Sequence, residues 1–436
     1  MGDRGEYIMS FEERRPKILE VCQVLWPDAD IWITSPCGGH SGLEYPITAT
    51  YSGVDESMNR YSNDDRYVLQ IPRRADEVAG RAEVLEHIEL FASDGVQWLI
   101  PDAFHVDPTS HNPLGRPYLI LTRPPGWALG EVYRDMSQAQ KVKVATELGR
   151  AFCEVQMELA PFCGYPSIDY NEDDGEGRCV KPFQIKKMEE KDKVDWDAMM
   201  ASLPADVEHG EQDPAVLTRS SFLKDRTPHL KARQVVRLLF LRWIHHNHHS
   251  SSIAPWERDA NERLLERSLA VIEAIMRRNP DVFASDHICM HNPGLGVTET
   301  ITVEFAGGGR EGAPQIMSIA DWSAAAFAPR FAGCRAPDWL WGVPDEETVA
   351  SHPRWERFEP LDQVRPAHAA AAEVKRAFDE AVGPAFCQAA YGTDMVFARR
   401  FHAAARVPPW CESDYEELRE LVAQWDERER VGRLQR

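Results

Sequence analysis

The chain has 436 residues, 43% of them apolar, and carries a formal net charge of −21. That length exceeds what one compact core usually holds and predicts two or three lobes. The acidic balance argues against a nucleic-acid partner, because phosphate backbones are bound by clustered cations. The charged N-terminus lacks the apolar region of a signal peptide, and no run of about 20 apolar residues could span a bilayer. We therefore expect a cytoplasmic protein with no membrane partner.

The first 122 residues carry the pattern of a small antiparallel sheet with one packed helix. Alternating apolar runs that end at Gly, Pro or Asn clusters predict short strands, and apolar residues at helical spacing predict helices. A glycine-rich turn at residues 36–42 separates the first two strands. The predicted strands are 31–34, 45–51, 67–71, 98–101 and 118–122, and the helices are 11–25 and 75–92.

Beyond residue 126 the pattern changes to long helices. They are predicted at residues 138–159, 230–246, 260–278 and 366–383, with one hairpin of strands 301–305 and 316–319. A polar insertion at 169–230 is predicted to form loops with short helices. The resulting division is an N-lobe 1–122, a hinge 123–126, a helical C-lobe 127–420 and a charged tail 421–436. The predicted fold class is α+β, with a small antiparallel-sheet N-lobe and a mainly helical C-lobe.

Five short segments occur in a recognisable order between residues 38 and 341. They are GGHSG at 38–42, YVLQIP at 67–72, NPLGRPYLILT at 112–122, IADW at 319–322 and PDWLW at 337–341. In this order they resemble the fungal aminoglycoside-phosphotransferase-like family, which is related to choline kinases. The resemblance implies a two-lobed protein-kinase-like fold, a small-molecule substrate, and ATP with magnesium as cofactors.

The resemblance also implies where a nucleotide would bind. Kinase-fold enzymes hold the phosphates with a glycine-containing turn, a strand cation paired to a helix acid, and magnesium on an aspartate. Here the strand cation position is Gln70, which carries no charge, and the helix position is Arg81. Asp321 stands at the expected metal position. The implied nucleotide contacts are Gly38, Gly39, Ser41, Gly42, Gln70 and Leu121.

The catalytic loop departs most from the family pattern HxDLHxxNILV. Residues 287–297 read HICMHNPGLGV, so a gapless alignment places Cys289 at the catalytic aspartate and Gly294 at the metal-binding asparagine. An alternative register uses Asp286 as the base and Asn292 as the metal ligand. Losing a positioned base costs about 10²–10⁴ in rate. The gapless register therefore predicts impaired phosphoryl transfer and makes ATP and magnesium binding doubtful.

Four functions remain open from the sequence. The leading expectation is a divergent phosphotransferase homologue that binds or acts on a small molecule, with ATP chemistry impaired or lost. The second is an active small-molecule kinase that uses Asp286, Asn292 and Asp321. The third is an acyl-transfer or amide-forming enzyme in which His287 and His291 activate the Cys289 thiol. The fourth is a non-enzymatic binding module.

Overall fold

The described residues form two compact units. One unit comprises Met1–Met136, Pro166–Cys179 and Pro293–Ala325, and the other comprises Ser137–Tyr165, Val180–Asn292 and Ala326–Arg436. No described helix is long and apolar enough to cross a membrane. The computed structural model describes part of the segment 236–247 and residues 10–39, 42–51, 64–72, 77–160, 164–171, 175–182, 254–283, 288–292, 300–322, 325–342, 366, 368–406 and 412–434.

An antiparallel sheet with packed helices forms the N-terminal part of the first unit. The strand order is β1-β3-β4-β6-β5, and β2 pairs with β3. The predicted sheet and its long helix are confirmed. The elements are α1 (Phe11–Leu25), β1 (Ala29–Ile33), β2 (Cys37–Gly39), β3 (Gly42–Tyr51), β4 (Asp64–Pro72), α2 (Glu77–Phe91), α3 (Asp94–Gln97), β5 (Ala103–Asp107) and β6 (Tyr118–Thr122).

Local sequence explains where these elements begin and which face they bury. The Ser10 side chain accepts from the Glu13 backbone N–H, while the Glu13 carboxylate accepts from the Ser10 N–H. This capping box fixes the first turn of α1. On β3, Tyr45, Ile47 and Ala49 are buried at every second position, as a strand with one core face requires.

The strand predicted at residues 98–101 is wrong. These residues follow the short helix α3, and the strand β5 begins at Ala103. Val96 and Leu99 are both buried while Trp98 is 45% exposed. The spacing of three between Val96 and Leu99 is typical of a helix, not of the alternation that marks a strand.

The polar insertion differs from its prediction at its start. Residues 169–182, expected as loops with short helices, include the end of one strand, β8 (Gly164–Asn171), and all of a second, β9 (Gly175–Pro182). These strands pair with one another. Pairing satisfies backbone groups whatever the side chains are, so a polar composition does not prevent a strand. The rest of the predicted insertion lies outside the described residues.

A second, three-stranded sheet completes the first unit. Its order is β12 (Pro314–Ile319), β11 (Ile301–Phe305) and β7 (Trp127–Ala128), which confirms the predicted hairpin; the short helix α4 (Leu129–Val132) follows β7. Gly126 precedes β7 with φ of +113°, and a Cβ there would lie 2.3 Å from the Val303 carbonyl oxygen. Glycine is therefore required where the chain enters this sheet.

The second unit is mainly helical. The predicted helices at 138–159, 260–278 and 366–383 are confirmed, and the described residues between 236 and 247 are helical. Two strands, β10 (Ile288–His291) and β13 (Ala326–Pro329), pair antiparallel. The helices are α5 (Gln138–Met157), α6 (Pro255–Arg278), α7 (Arg330–Gly333), α8 (Ala369–Val382), α9 (Pro384–Tyr391), α10 (Thr393–Arg406) and α11 (Glu412–Leu434).

The predicted tail at 421–436 is helical as far as residue 434. Leu418, Leu421, Val422 and Trp425 of α11 are buried in the core of the second unit. Their spacing of three and four places them on one helix face. The linear division at residue 122 stays a prediction, while the compact units themselves combine noncontiguous segments.

Candidate functional site

A chain of three polar side chains, two of them buried, joins two strands to a helix in the first unit. Glu44 and Gln70 lie directly opposite one another on β3 and β4. Gln70 Nε2 donates to Glu44 Oε1 at 3.1 Å, and Arg81 Nη1, from α2, donates to Gln70 Oε1 at 3.4 Å. Gln70 and Arg81 are only 8% and 7% exposed. We call Glu44, Gln70 and Arg81 the strand–helix network.

The network contains the two residues that the sequence singled out as an altered pair. In the structure Gln70 and Arg81 contact one another, and their equivalence to the kinase ion pair stays a prediction. The positive charge now lies on the helix. The negative charge lies on the neighbouring strand, at Glu44, which sequence reasoning missed. Only the register of β3 against β4 shows that Glu44 lies opposite Gln70. That register could not be deduced from the sequence, because residues 52–63 separate the two strands.

Arg81 also has a carboxylate partner, on its own helix. Its Nη2 lies 3.4 Å from Glu77 Oε2, one turn earlier on α2. The Glu77 side chain is 36% exposed, whereas that of Arg81 is 8% exposed. A half-exposed i, i+4 pair of this kind contributes little stability. The Gln70 contact lies in the more buried surroundings.

Asp321 lies within electrostatic range of the network. Burial raises the pKa of the Glu44 carboxyl, and the Asp321 carboxylate raises it further. The Arg81 guanidinium and the hydrogen bond from Gln70 act in the opposite direction on this pKa. The candidate site therefore combines two mutually repelling carboxylates with one guanidinium.

Backbone hydrogen bonds fix the segment that carries Asp321 at the end of β12. The Ile319 N–H donates to the Leu99 carbonyl at 2.7 Å, and the Ala320 N–H donates to the Thr300 carbonyl at 2.7 Å. The Trp322 indole N–H donates back to the Ile319 carbonyl at 2.8 Å. Trp322 is buried and Asp321 is half-buried. The carboxylate thus follows a strand and precedes a loop, as expected.

The glycine-rich turn is a hairpin between β2 and β3. Gly38 pairs with Leu43, and Gly39 pairs with Gly42. Ser41 lies outside the described residues. Leu121, predicted to contact a nucleotide, is buried on β6, where it pairs with Val68 and Ala103. The nucleotide contacts of these residues stay predictions.

Cys289, in the second unit, is fully buried on β10. It pairs with Ala328 of β13 and forms a bridge to Leu159. Burial raises the pKa of its thiol to about 11, although a hydrogen bond with Arg330 and the charge of that residue act to lower it. A nucleophilic cysteine needs a depressed pKa and access to its substrate. These surroundings oppose the thiolate on which the acyl-transfer interpretation depends.

The other residues predicted for the catalytic loop are described only in part. His291 ends β10 and is half-buried; a Cβ on Gly333 would lie 3.0 Å from its Cβ. Asn292 follows and is 2% exposed. Asp286 and His287 lie outside the described residues, so the alternative register stays a prediction. Among the side chains that are described, no three His, Cys, Asp or Glu form a group that could hold a metal ion.

No family model matches the sequence, and no curated protein matches it. The chain is similar to the solved structure of a "putative aminoglycoside phosphotransferase" from Ralstonia eutropha JMP134, with 12% identity, a TM-score of 0.42, and coverage of 93% of this chain and 95% of that chain. It is also similar to ADP-bound aminoglycoside phosphotransferase APH(2'')-Ib, with 11% identity, a TM-score of 0.37, and coverage of 89% and 98%.

Proposed function

We propose that the protein is a divergent relative of small-molecule phosphotransferases that binds a nucleotide through its first unit, with conventional ATP phosphoryl transfer impaired or lost. The observation that carries this proposal is the buried contact between Gln70 and Arg81. The resemblance implies that they stand at the strand and helix positions at which a kinase fold keeps its phosphate-binding ion pair. One cation is retained there. The carboxylate expected to bind metal also lies in electrostatic range of the same network.

The first unit contains residue types that could bind a magnesium–nucleotide complex. Magnesium in such sites is held by one or two carboxylates together with the phosphates of the substrate. Asp321 is the residue that would hold it, and Glu44 is a second carboxylate in electrostatic reach. When bound, the ion would neutralise phosphate charge. This fit supports nucleotide binding and does not depend on any residue of the second unit.

The thiol at the catalytic-aspartate position supports impaired transfer. With a pKa of about 11, the Cys289 side chain is a neutral, buried thiol at physiological pH. It cannot accept the proton of an attacking hydroxyl. Without a positioned base, the rate of transfer falls by about 10²–10⁴. We therefore expect the protein to bind nucleotide without efficient phosphoryl transfer.

The test is titration of the full chain with ADP and ATP, with and without magnesium, followed by calorimetry and thermal unfolding. We expect saturable, magnesium-dependent binding that Asp321→Asn weakens and that the exposed hairpin variant Glu311→Gln leaves unchanged. If the protein does not bind nucleotide at millimolar concentration, the proposal is wrong. In parallel, ATP consumption with amino-sugar and amino-alcohol acceptors should stay far below the 1–100 s⁻¹ typical of kinases, whereas turnover in that range would contradict the impaired chemistry.

A further inference from the structure

The orientation of the Gln70 amide fixes the polarity of the strand–helix network. Its Oε1 accepts from Arg81 and its Nε2 donates to Glu44. An amide flipped by 180° would place donor against donor and acceptor against carboxylate, so only this orientation satisfies both neighbours. The helix therefore presents the positive group and the sheet presents the negative one. This is the reverse of the kinase arrangement of a strand cation and a helix acid.

Two of the contacts of the Arg81 guanidinium differ in how readily they can be exchanged. The Gln70 contact is buried, whereas the Glu77 contact at 3.4 Å involves a side chain that is 36% exposed. A half-exposed ion pair at this distance is weak and is readily replaced by a stronger anion. A guanidinium binds phosphate oxygens with its planar fork of N–H donors. Nη2 could therefore exchange Glu77 for phosphate while Nη1 keeps Gln70.

We propose that Arg81 on α2 supplies the cationic contact to the phosphates of a bound nucleotide by exchanging its Glu77 partner for a phosphate oxygen. Gln70 and Glu44 act as positioning residues that hold the guanidinium from the sheet side. This inference rests on the proposed function, because it names the group that recognises the phosphates. It assigns the phosphate contact to the helix, and Gln70 contributes no charge to it.

The first experiment compares the affinities of the full chain for ADP and for adenosine, both in magnesium buffer. Replacing a charged hydrogen-bonding partner of the phosphates should weaken ADP binding about 10–100-fold. We expect this loss for Arg81→Gln, with adenosine affinity changed less than about twofold and Arg81→Lys intermediate. Arg66→Gln removes the same charge from an exposed position on β4 and should change neither affinity.

The second experiment moves ADP affinity in the opposite direction. Glu77→Gln removes the carboxylate that competes for Nη2, so ADP affinity should rise about two- to fivefold while adenosine affinity stays unchanged. A variant that gains affinity cannot owe its effect to misfolding. An unchanged or weakened ADP affinity in Glu77→Gln would overturn the inference.

The outcomes also separate this inference from the proposed function. If the natural protein binds neither ADP nor ATP, the proposed function fails and the inference fails with it. If the natural protein binds ADP but Arg81→Gln weakens ADP and adenosine equally, or weakens neither, only the inference fails. A loss confined to the phosphorylated ligand supports both.

Discussion

The strand–helix network of the first unit and the β10 strand of the second unit are the two regions in which the family resemblance implies essential charged groups. In the network the two charges lie on the opposite elements from those that the resemblance implies, with Arg81 on the helix and Glu44 on the sheet. At β10 the expected carboxylate is a thiol, 0% exposed, with a raised pKa. The strand–helix network is polar, whereas Cys289 on β10 lies in the interior of the second unit.

The difference follows from what burial allows. A buried charge needs a partner, so removing one half of an ion pair leaves an uncompensated group that costs several kcal/mol. In the network, an amide connects a guanidinium to a carboxylate. At β10 the buried Cys289 thiol behaves as a small apolar side chain. The network thus keeps the cation for which a phosphate contact is proposed above, whereas β10 carries a neutral thiol where the resemblance implies a base.

The largest expected effect concerns a buried arginine of the second unit whose guanidinium donates to backbone carbonyls. Arg399 of α10 donates to the carbonyls of Phe331, Cys334, Ala389 and Ala390 at 2.8–3.0 Å. Arg399→Met would leave these carbonyls without their donor. We expect the free energy of unfolding to fall by about 3–5 kcal/mol, measured by urea denaturation.

The matched control for this prediction is Arg376→Met, at an exposed position on α8. It removes the same charge and should change the free energy of unfolding by less than about 0.5 kcal/mol. Equal effects of the two substitutions would show that Arg399 contributes through net charge and not through its carbonyl contacts.

Restoring the expected carboxylate at β10 should destabilise the protein. Cys289→Asp places a charge in a fully buried position, and its desolvation exceeds what the neighbouring Arg330 returns. We expect a loss of about 2–4 kcal/mol, against about 1 kcal/mol for Cys289→Ser, from urea denaturation of both variants. A Cys289→Asp variant as stable as the natural protein that also consumes ATP would show that β10 is still built for catalysis.

The raised pKa of Cys289 predicts slow alkylation. At pH 7.5 a thiol of pKa about 11 has a thiolate fraction about 10² lower than an ordinary cysteine. Modification of Cys289 by iodoacetamide, followed by mass spectrometry, should be slower by at least that factor than in the urea-unfolded chain. Because the folded-state pKa lies above the unfolded value, this thiol stabilises the fold below about pH 9, and the contribution is lost as pH rises toward 11. Rapid labelling at pH 7.5 would contradict the burial.

Most elements of the fold could be predicted because their signals are local. The first helix and the strand at 118–122 match their predicted bounds, since a capping residue or a contiguous apolar run marks each of them. The site could be predicted only in part. Gln70 and Arg81 are altered positions within a recognisable pattern, whereas Glu44 becomes their partner only through strand pairing. The positions of the positive charge on the helix and the negative charge on the sheet could therefore be recognised only from the three-dimensional structure.

The smallest expected effect measures the coupling within the strand–helix network. Gln70→Met removes the amide that joins Arg81 to Glu44. We expect it to cost about 1–2 kcal/mol of unfolding free energy because the buried Arg81 and the half-buried Glu44 each lose a partner. In a double-mutant cycle with Arg81→Met, the coupling energy should be about 0.5–1.5 kcal/mol. The same cycle between Gln70 and the exposed Arg66 should give a value near zero. A zero coupling for Gln70 and Arg81 would mean that their contact contributes nothing to the fold, and the guanidinium would then lack the fixed position that phosphate binding requires.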